Sequence, residues 1–240
     1  MQRFGEIDLL RGVAIVLMVI FHAGFDLDFY ELIVVNTDQG VWRWMAYFVQ
    51  IVFVGTTGMT LAFSYERGLR RGRVHAIRRR LMHAAMVFSW GMVITLSTWI
   101  MFEKWVVVFG ILHFLGVSMV LALPLLFLKR WIGLVGVLVL FVAWFSRDVV
   151  VDFAWGIPFG FVAPSFYALD YFPLFPWFGL FLVGVAGGFH LSLKKRAQKS
   201  RIVSAGKKFQ WLGRHSLMLY LAHQPILVAL IMGWRAIVGL

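Results

Sequence analysis

Seven apolar stretches, most of them near the length that crosses a bilayer, follow one another along this chain with short polar connections between them. A helix needs roughly 20 predominantly apolar residues to traverse ~30 Å of hydrocarbon. The stretches run Leu9–Phe25, Val41–Tyr65, Leu81–Phe102, Trp105–Leu128, Trp131–Phe145, Phe172–Leu193 and Trp211–Trp234. Composition excludes the competing classes: 61% of the 240 residues are hydrophobic and 14% charged, against roughly 45–50% and about 25% in a soluble domain. The expected fold is therefore all-α, a polytopic transmembrane helix bundle of about seven spans forming one domain over residues 1–240. The fifth stretch is short, and Val149–Tyr171 carries Gly156, Pro158, Gly160 and Pro164, which suits a re-entrant or surface loop; six or eight crossings stay open.

The connections separate by sign. On a seven-span reading nineteen basic residues fall on one side of the membrane, and four (Arg43, Lys104, Arg147 and Arg235) on the other. Eight of the eleven acidic residues take the second side. By the positive-inside rule the N-terminus is cytoplasmic and the C-terminus outside. A net charge of +12 would suggest nucleic acid in a soluble protein; distributed in this way it reads as a topology signal and a contact for a bilayer with anionic headgroups, and no nucleic acid is expected. Its competing use is to hold a phosphate-rich cytoplasmic ligand.

Cysteine is absent, which excludes disulfides, thiolate metal sites and cysteine nucleophiles. The first stretch begins like a secretory signal, yet it carries Arg11, His22 and Asp26 and ends without a small-residue cleavage site, so it reads as a retained helix. No internal repeat or soluble domain is evident.

Ionisable groups inside a span cost several kcal/mol unless paired, and they face a bundle interior or a wet cavity. On the first helix Asp8, Arg11, His22 and Asp26 turn by about 300°, 1100° and 400° in succession at ~100° per residue, so all four share one narrow stripe. Arg11 lies at the cytoplasmic end, with His22 roughly 16 Å further out at ~1.5 Å per residue. A carboxylate one turn beyond a histidine can accept its ring N–H and raise the basicity of the other nitrogen, as a general base on an amine or hydroxyl requires. His22 and Asp26 are thus a candidate catalytic dyad. His113 and His223 sit at similar depth in the fourth and seventh spans, either as further site groups or as hydrogen-bonded glue between helices. Three histidines from three helices, without a short His-x-x-x-His motif, do not match the usual zinc spacing, and no metal is expected.

The small residues of Phe53-Val54-Gly55-Thr56-Thr57-Gly58 allow close helix approach or the passage of a ligand chain. The run Asp170-Tyr171-Phe172-Pro173-Leu174-Phe175-Pro176-Trp177 suits the outer interface, as belt residues or as the floor of a substrate cleft.

Several runs resemble a known family. Ile7-Asp8-Leu9-Leu10-Arg11-Gly12-Val13-Ala14-Ile15, continuing to Met18-Val19-Ile20-Phe21-His22, is similar to the opening of the heparan-α-glucosaminide N-acetyltransferase catalytic-domain family, and the spacing of Arg11 and His22 resembles the motif of acyltransferase-3 members of the same wider group. Further likenesses are Phe109-Gly110-Ile111-Leu112-His113-Phe114-Leu115-Gly116, Tyr171-Phe172-Pro173-Leu174-Phe175-Pro176-Trp177-Phe178-Gly179, and Leu212-Gly213-Arg214-His215-Ser216-Leu217 running to Tyr220-Leu221-Ala222-His223-Gln224-Pro225.

The resemblance implies a multi-pass acyltransferase, a single transmembrane domain over 1–240, that takes acetyl-CoA from the cytoplasm and passes the acyl group to an amine or hydroxyl of a sugar or glycan at the outer face. With the residue placement above, the leading reading takes His22 as general base, Asp26 as its orienting partner, and His113 or His223 as acceptor-positioning or oxyanion-stabilising groups. Arg11, Arg78, Arg79, Arg80 and Arg214 are candidates for the nucleotide phosphates. In the lysosomal members the histidine follows the first helix in the outer loop, whereas Phe25–Gly40 here contains Asp26, Asp28, Glu31 and Asp38 but no histidine. The base then falls on His22 itself, as in the acyltransferase-3 pattern. A prokaryotic plasma membrane is the expected location, and a homodimer stays open. The rival class is a small-molecule or proton-coupled transporter using the same His and Asp residues as a relay. A retinal-type receptor is excluded, because every lysine lies at a span end or in a loop.

Overall fold

The structure, a computed structural model, describes residues 5–102, 105–146, 149–150, 153–163, 165–195 and 206–239. It is 81% helical. The helices are α1 (Gly5–Phe29), α2 (Gly40–Leu69), α3 (Arg73–Met101), α4 (Ile111–Ala122), α5 (Ile132–Phe145), α6 (Leu174–Lys195), α7 (Lys207–Arg214) and α8 (Ser216–Val238). No β-strand occurs among the described residues. Among the described residues six helical stretches are long and apolar enough to cross a membrane, and one of them, Ile111–Phe145, joins the fourth and the fifth expected spans. Its two legs, α4 and α5, meet through a 3-10 segment, Leu123–Trp131, in which Lys129 adopts φ 51° and ψ −124°.

Other expectations shift in detail. The last apolar stretch, Trp211–Trp234, is not one helix: it breaks at His215 (φ −103°, ψ 19°) into α7 and α8. Val149–Tyr171 forms no span among its described residues, only a 3-10 turn at Ala154–Phe159 closed by left-handed Gly160 (φ 98°). Arg73, Arg78, Arg79 and Arg80 belong to the first turns of α3 rather than to a loop. Among the residues used to orient the chain, Arg3, Glu103, Lys104, Arg147, Asp148, Asp152, Arg196, Lys199 and Arg201 lie outside the described set, as does Pro164.

The chain packs as two compact units divided within α2: Met1–Phe53 with Ser200–Leu240, and Val54–Lys199. In the second unit glycines set the helix contacts. A Cβ on Gly188 would lie 2.6 Å from the Met59 carbonyl oxygen, and Gly184 meets Gly55, so α2 and α6 run parallel. Gly136 on α5 faces Gly179 and Val183, while Gly133 faces Ala186, which makes α5 and α6 antiparallel. Gly91 against His113 and Gly116 against Ala84 and Phe88 make α3 and α4 antiparallel. Gly68 against Ala76 closes the α2–α3 hairpin through Gly72, whose φ of 101° favours a residue without Cβ. The chain direction therefore alternates from α2 to α6, including a reversal between α4 and α5. Small residues of this kind let helix backbones approach in a medium where apolar burial gives no driving force. Val54, Phe114, Phe181, Leu182 and Val185 are fully buried in this unit.

The N-terminus of α4 is tied down by polar groups: Ile111 N–H donates to Asp170 Oδ2 (3.0 Å), and Phe172 N–H donates to Phe109 O (2.8 Å). In the first unit α1 is the organising helix. A core of Ile15, Met18 and Val49, with Leu219 and Tyr220 against it, joins α1 to α8 and to the start of α2. The short α7 crosses α1 where Gly12 meets the backbone of Phe209 and Gly213 meets that of Asp8.

Candidate active site on the first and last helices

The face of α1 that carries Asp8, Arg11, His22 and Asp26 turns toward the C-terminal helices. At one end Arg214 Nε donates to Asp8 Oδ2 (3.2 Å), and Arg11 lies within electrostatic reach of the same carboxylate. The Arg214 side chain is 41% exposed, so this pair stabilises the fold by no more than about 1 kcal/mol. At the other end α1 and α8 run side by side in the same direction, and their polar residues meet.

His22 and His223 stand edge to face with ring centroids 4.7 Å apart. His22 Nδ1 is 2.9 Å from Met18 O, and His223 Nδ1 is 2.6 Å from Tyr220 O. A carbonyl only accepts, so each Nδ1 carries the proton and each Nε2 presents a lone pair. Asp26, 3% exposed, accepts a 2.6 Å hydrogen bond at Oδ1 from Gln224 Nε2. The expected His22–Asp26 hydrogen bond is therefore replaced: the Met18 carbonyl sets the His22 tautomer, and Gln224 holds the carboxylate. The reason is geometric, because a histidine in a helix reaches the carbonyl one turn back without leaving its own helix, while Asp26 faces α8.

Three buried atoms of this cluster have no hydrogen-bond partner among the described residues: Asp26 Oδ2, His223 Nε2 and Gln224 Oε1. Leaving a buried polar atom unsatisfied costs about 1–3 kcal/mol, and more for a charged one. All three are acceptors, and His22 Nε2, opposite the nitrogen bonded to Met18 O, adds a fourth lone pair. The cluster lacks donors, and a ligand bearing N–H or O–H groups would supply them.

Nearby, the outer connection Phe25–Gly40 uses its own polar groups for structure: Asp28 Oδ1 accepts from Val35 N–H (2.8 Å) and Asn36 Oδ1 from Asp38 N–H (3.2 Å). Burial pushes the Tyr30 phenol up, the Asp26 charge adds to that, and Arg235 opposes it.

His113 belongs to the second unit and is fully engaged there. Its Nδ1 accepts from Gly110 N–H (3.2 Å) at the start of α4, and its Nε2 faces Thr95 Oγ1 at 3.4 Å. Its ring lies against Phe88 and Phe109. Of the arginine triplet, Arg78 and Arg79 are exposed, while Arg80 is 8% exposed and its Nε has no partner among the described residues. Tyr171 donates to Ile157 O (2.6 Å), and burial raises its phenol to about 12. No group of His, Asp and Glu suited to a metal occurs among the described residues.

The profile of the family described as heparan-alpha-glucosaminide N-acetyltransferase, catalytic, matches residues 3–225. The chain belongs to this family. No curated protein and no solved structure matches it. Membership in the heparan-alpha-glucosaminide N-acetyltransferase catalytic family, with the helices described above, makes the chain a multi-pass membrane acetyltransferase. The match runs from before α1 into α8 and so contains His22, Asp26, His223 and Gln224. Gln224 and the Met18 carbonyl were not anticipated by sequence reasoning. A signal for Gln224 existed: it is a polar residue beside a histidine in an apolar run, just before Pro225. A backbone carbonyl leaves no such mark.

Proposed function

We propose that this acetyltransferase takes its acetyl group from acetyl-CoA on the basic, cytoplasmic side and transfers it to an amine or hydroxyl of a sugar at the outer face, in a prokaryotic plasma membrane. His22 Nε2 is the general base on the attacking group. His223 Nε2 and Asp26 Oδ2 receive the other hydrogens of the acceptor, and Gln224 keeps the carboxylate aimed. The observation that supports this reading is that α1 and α8 bring together two histidine rings 4.7 Å apart and a hydrogen-bonded Asp26–Gln224 pair, with buried acceptor atoms that have no partner among the described residues. A sugar carries many donors, and such a site rejects a ligand lacking them because its buried acceptors would stay unpaired.

Arg11 and Arg214 are candidates for the phosphates of CoA in the first unit, and Arg78, Arg79 and Arg80 form a separate candidate group in the second. Guanidinium pairs well with phosphate oxygens. The two catalytic histidines act without His113, whose Nδ1 caps α4 and whose Nε2 faces Thr95.

The test is release of CoA thiol from acetyl-CoA by detergent-purified protein with glucosamine as acceptor. Acetyl-CoA turnover that His22→Ala abolishes, with the variant still folded, is the expected result. Near wild-type activity in His22→Ala would sink His22 as base. Solute accumulation in liposomes without any CoA would favour the transporter class instead.

A further inference from the structure

Resting on the reading of this site as an acyl-transfer centre, we infer that His22 and His223 are a two-base pair, in which His223 accepts the first proton of an ammonium acceptor and His22 the second. The geometry is symmetrical in the relevant sense. Each imidazole spends its Nδ1–H on a carbonyl of its own helix, Met18 O or Tyr220 O, and the rings stand 4.7 Å apart. Neither Nε2 is engaged by those contacts, and that of His223 is buried without a partner among the described residues.

A hydroxyl acceptor loses one proton during acyl transfer, and a single base suffices for it. An amine arriving as an ammonium ion loses two. In the first step an N–H bond of the ammonium breaks and its proton moves to His223 Nε2, leaving a neutral amine. In the second step the amine nitrogen attacks the thioester carbonyl carbon, a C–N bond forms, and His22 Nε2 takes the second proton. The C–S bond then breaks, and that proton passes from His22 to the departing thiolate. The proton on His223 goes to water, so the balance is ammonium plus acetyl thioester giving amide, thiol and one proton.

The charged and titratable groups that face His223 are few. From α1 they are His22 and Asp26, whose carboxylate attracts both the incoming ammonium and the imidazolium that results. On α8 Tyr220 and Gln224 are its neighbours. Beyond Asp26 lie Tyr30 and Arg235.

The experiment compares wild type with His223→Gln in enzyme-dependent acetyl transfer to glucosamine and to hydroxylamine, which is already neutral at about pH 7 and loses one proton in the reaction. With glucosamine, the ratio of variant to wild-type kcat/KM should fall by about tenfold for each pH unit below the amine's own pKa, because the variant must wait for free amine. With hydroxylamine the ratio, whatever its size, should stay flat above about pH 7. Equal loss with both acceptors at every pH, or no loss with glucosamine, overturns the inference. If the variant does not fold, the pH dependence of wild-type kcat/KM with glucosamine decides: a profile that stays flat below the amine's own pKa supports deprotonation of the ammonium on the enzyme, and one that falls about tenfold per pH unit there overturns it. Wild type that turns over acetyl-CoA with neither acceptor would overturn the acyl-transfer reading itself.

Discussion

Asp26 gains its fold-derived partner from a residue 198 positions away, and that separation defines what could be read from the sequence at the scale of single residues. The stripe Asp8, Arg11, His22 and Asp26 follows from a rotation of 100° per residue and is legible in α1 alone. Which neighbour each member chooses is not, since it depends on what α7 and α8 bring. Hence the dyad expected along one helix is, in the fold, a pair of contacts between helices. Asp26→Asn should lower kcat by about 100-fold or more with acetyl-CoA and glucosamine, and Gln224→Leu, which strips the carboxylate of its donor, should lower kcat by about tenfold and stability by about 1–3 kcal/mol. Steady-state kinetics beside thermal unfolding in detergent would separate the two effects. A second expectation concerns Tyr171. Its phenol is raised from 10.0 to about 12, so the fold favours the protonated form. That contribution is complete below pH 10 and is lost as pH rises toward 12. Wild type should therefore lose unfolding temperature relative to Tyr171→Phe across that interval, and parallel curves would argue against it.

At the scale of elements, hydropathy located the helices and missed the bends. Trp211–Trp234 reads as one apolar run because Trp211, Leu212 and the residues of α8 are equally greasy, yet Gly213 must lie flat on the backbone of Asp8. The chain turns at His215 to make that contact. A Cβ on Gly213 would stand 2.8 Å from the Asp8 carbonyl carbon. Gly213→Leu should therefore destabilise the protein by on the order of 1–3 kcal/mol, as overpacking does, measured as a lowered unfolding midpoint. The reversal at Lys129 was legible as two separate stretches, with the Lys129-Arg130 pair between them. The start of α3 was not, because hydropathy places Arg73–Arg80 in a loop while the backbone places it in a helix. Reversing the charge of Arg78, Arg79 and Arg80 together should mainly raise the KM for acetyl-CoA, seen in initial rates at varied donor concentration. An unchanged KM would leave these arginines with topology alone.

For the whole molecule, the apolar runs and the bias of basic residues carried most of the information. They predict alternating spans with a cytoplasmic N-terminus, and the helix directions within the second unit alternate accordingly. The division of the chain into a unit made from both ends and a unit made from the middle has no compositional signature, because every span looks alike in a hydropathy profile. Orientation can be measured without background, as the chain has no cysteine. A membrane-impermeant maleimide should label Gln39→Cys in intact cells and Arg71→Cys only in inverted vesicles; the opposite pattern would reverse the topology.

The pairing of α1 with α8 also has a consequence for how the protein is made. A ribosome delivers Asp26 to the bilayer 198 residues before Gln224. Throughout synthesis of the middle unit, α1 holds a buried carboxylate without its amide donor. On the proposed mechanism the nascent chain is thus inert until α8 docks, and a product truncated before α8 should release no thiol from acetyl-CoA.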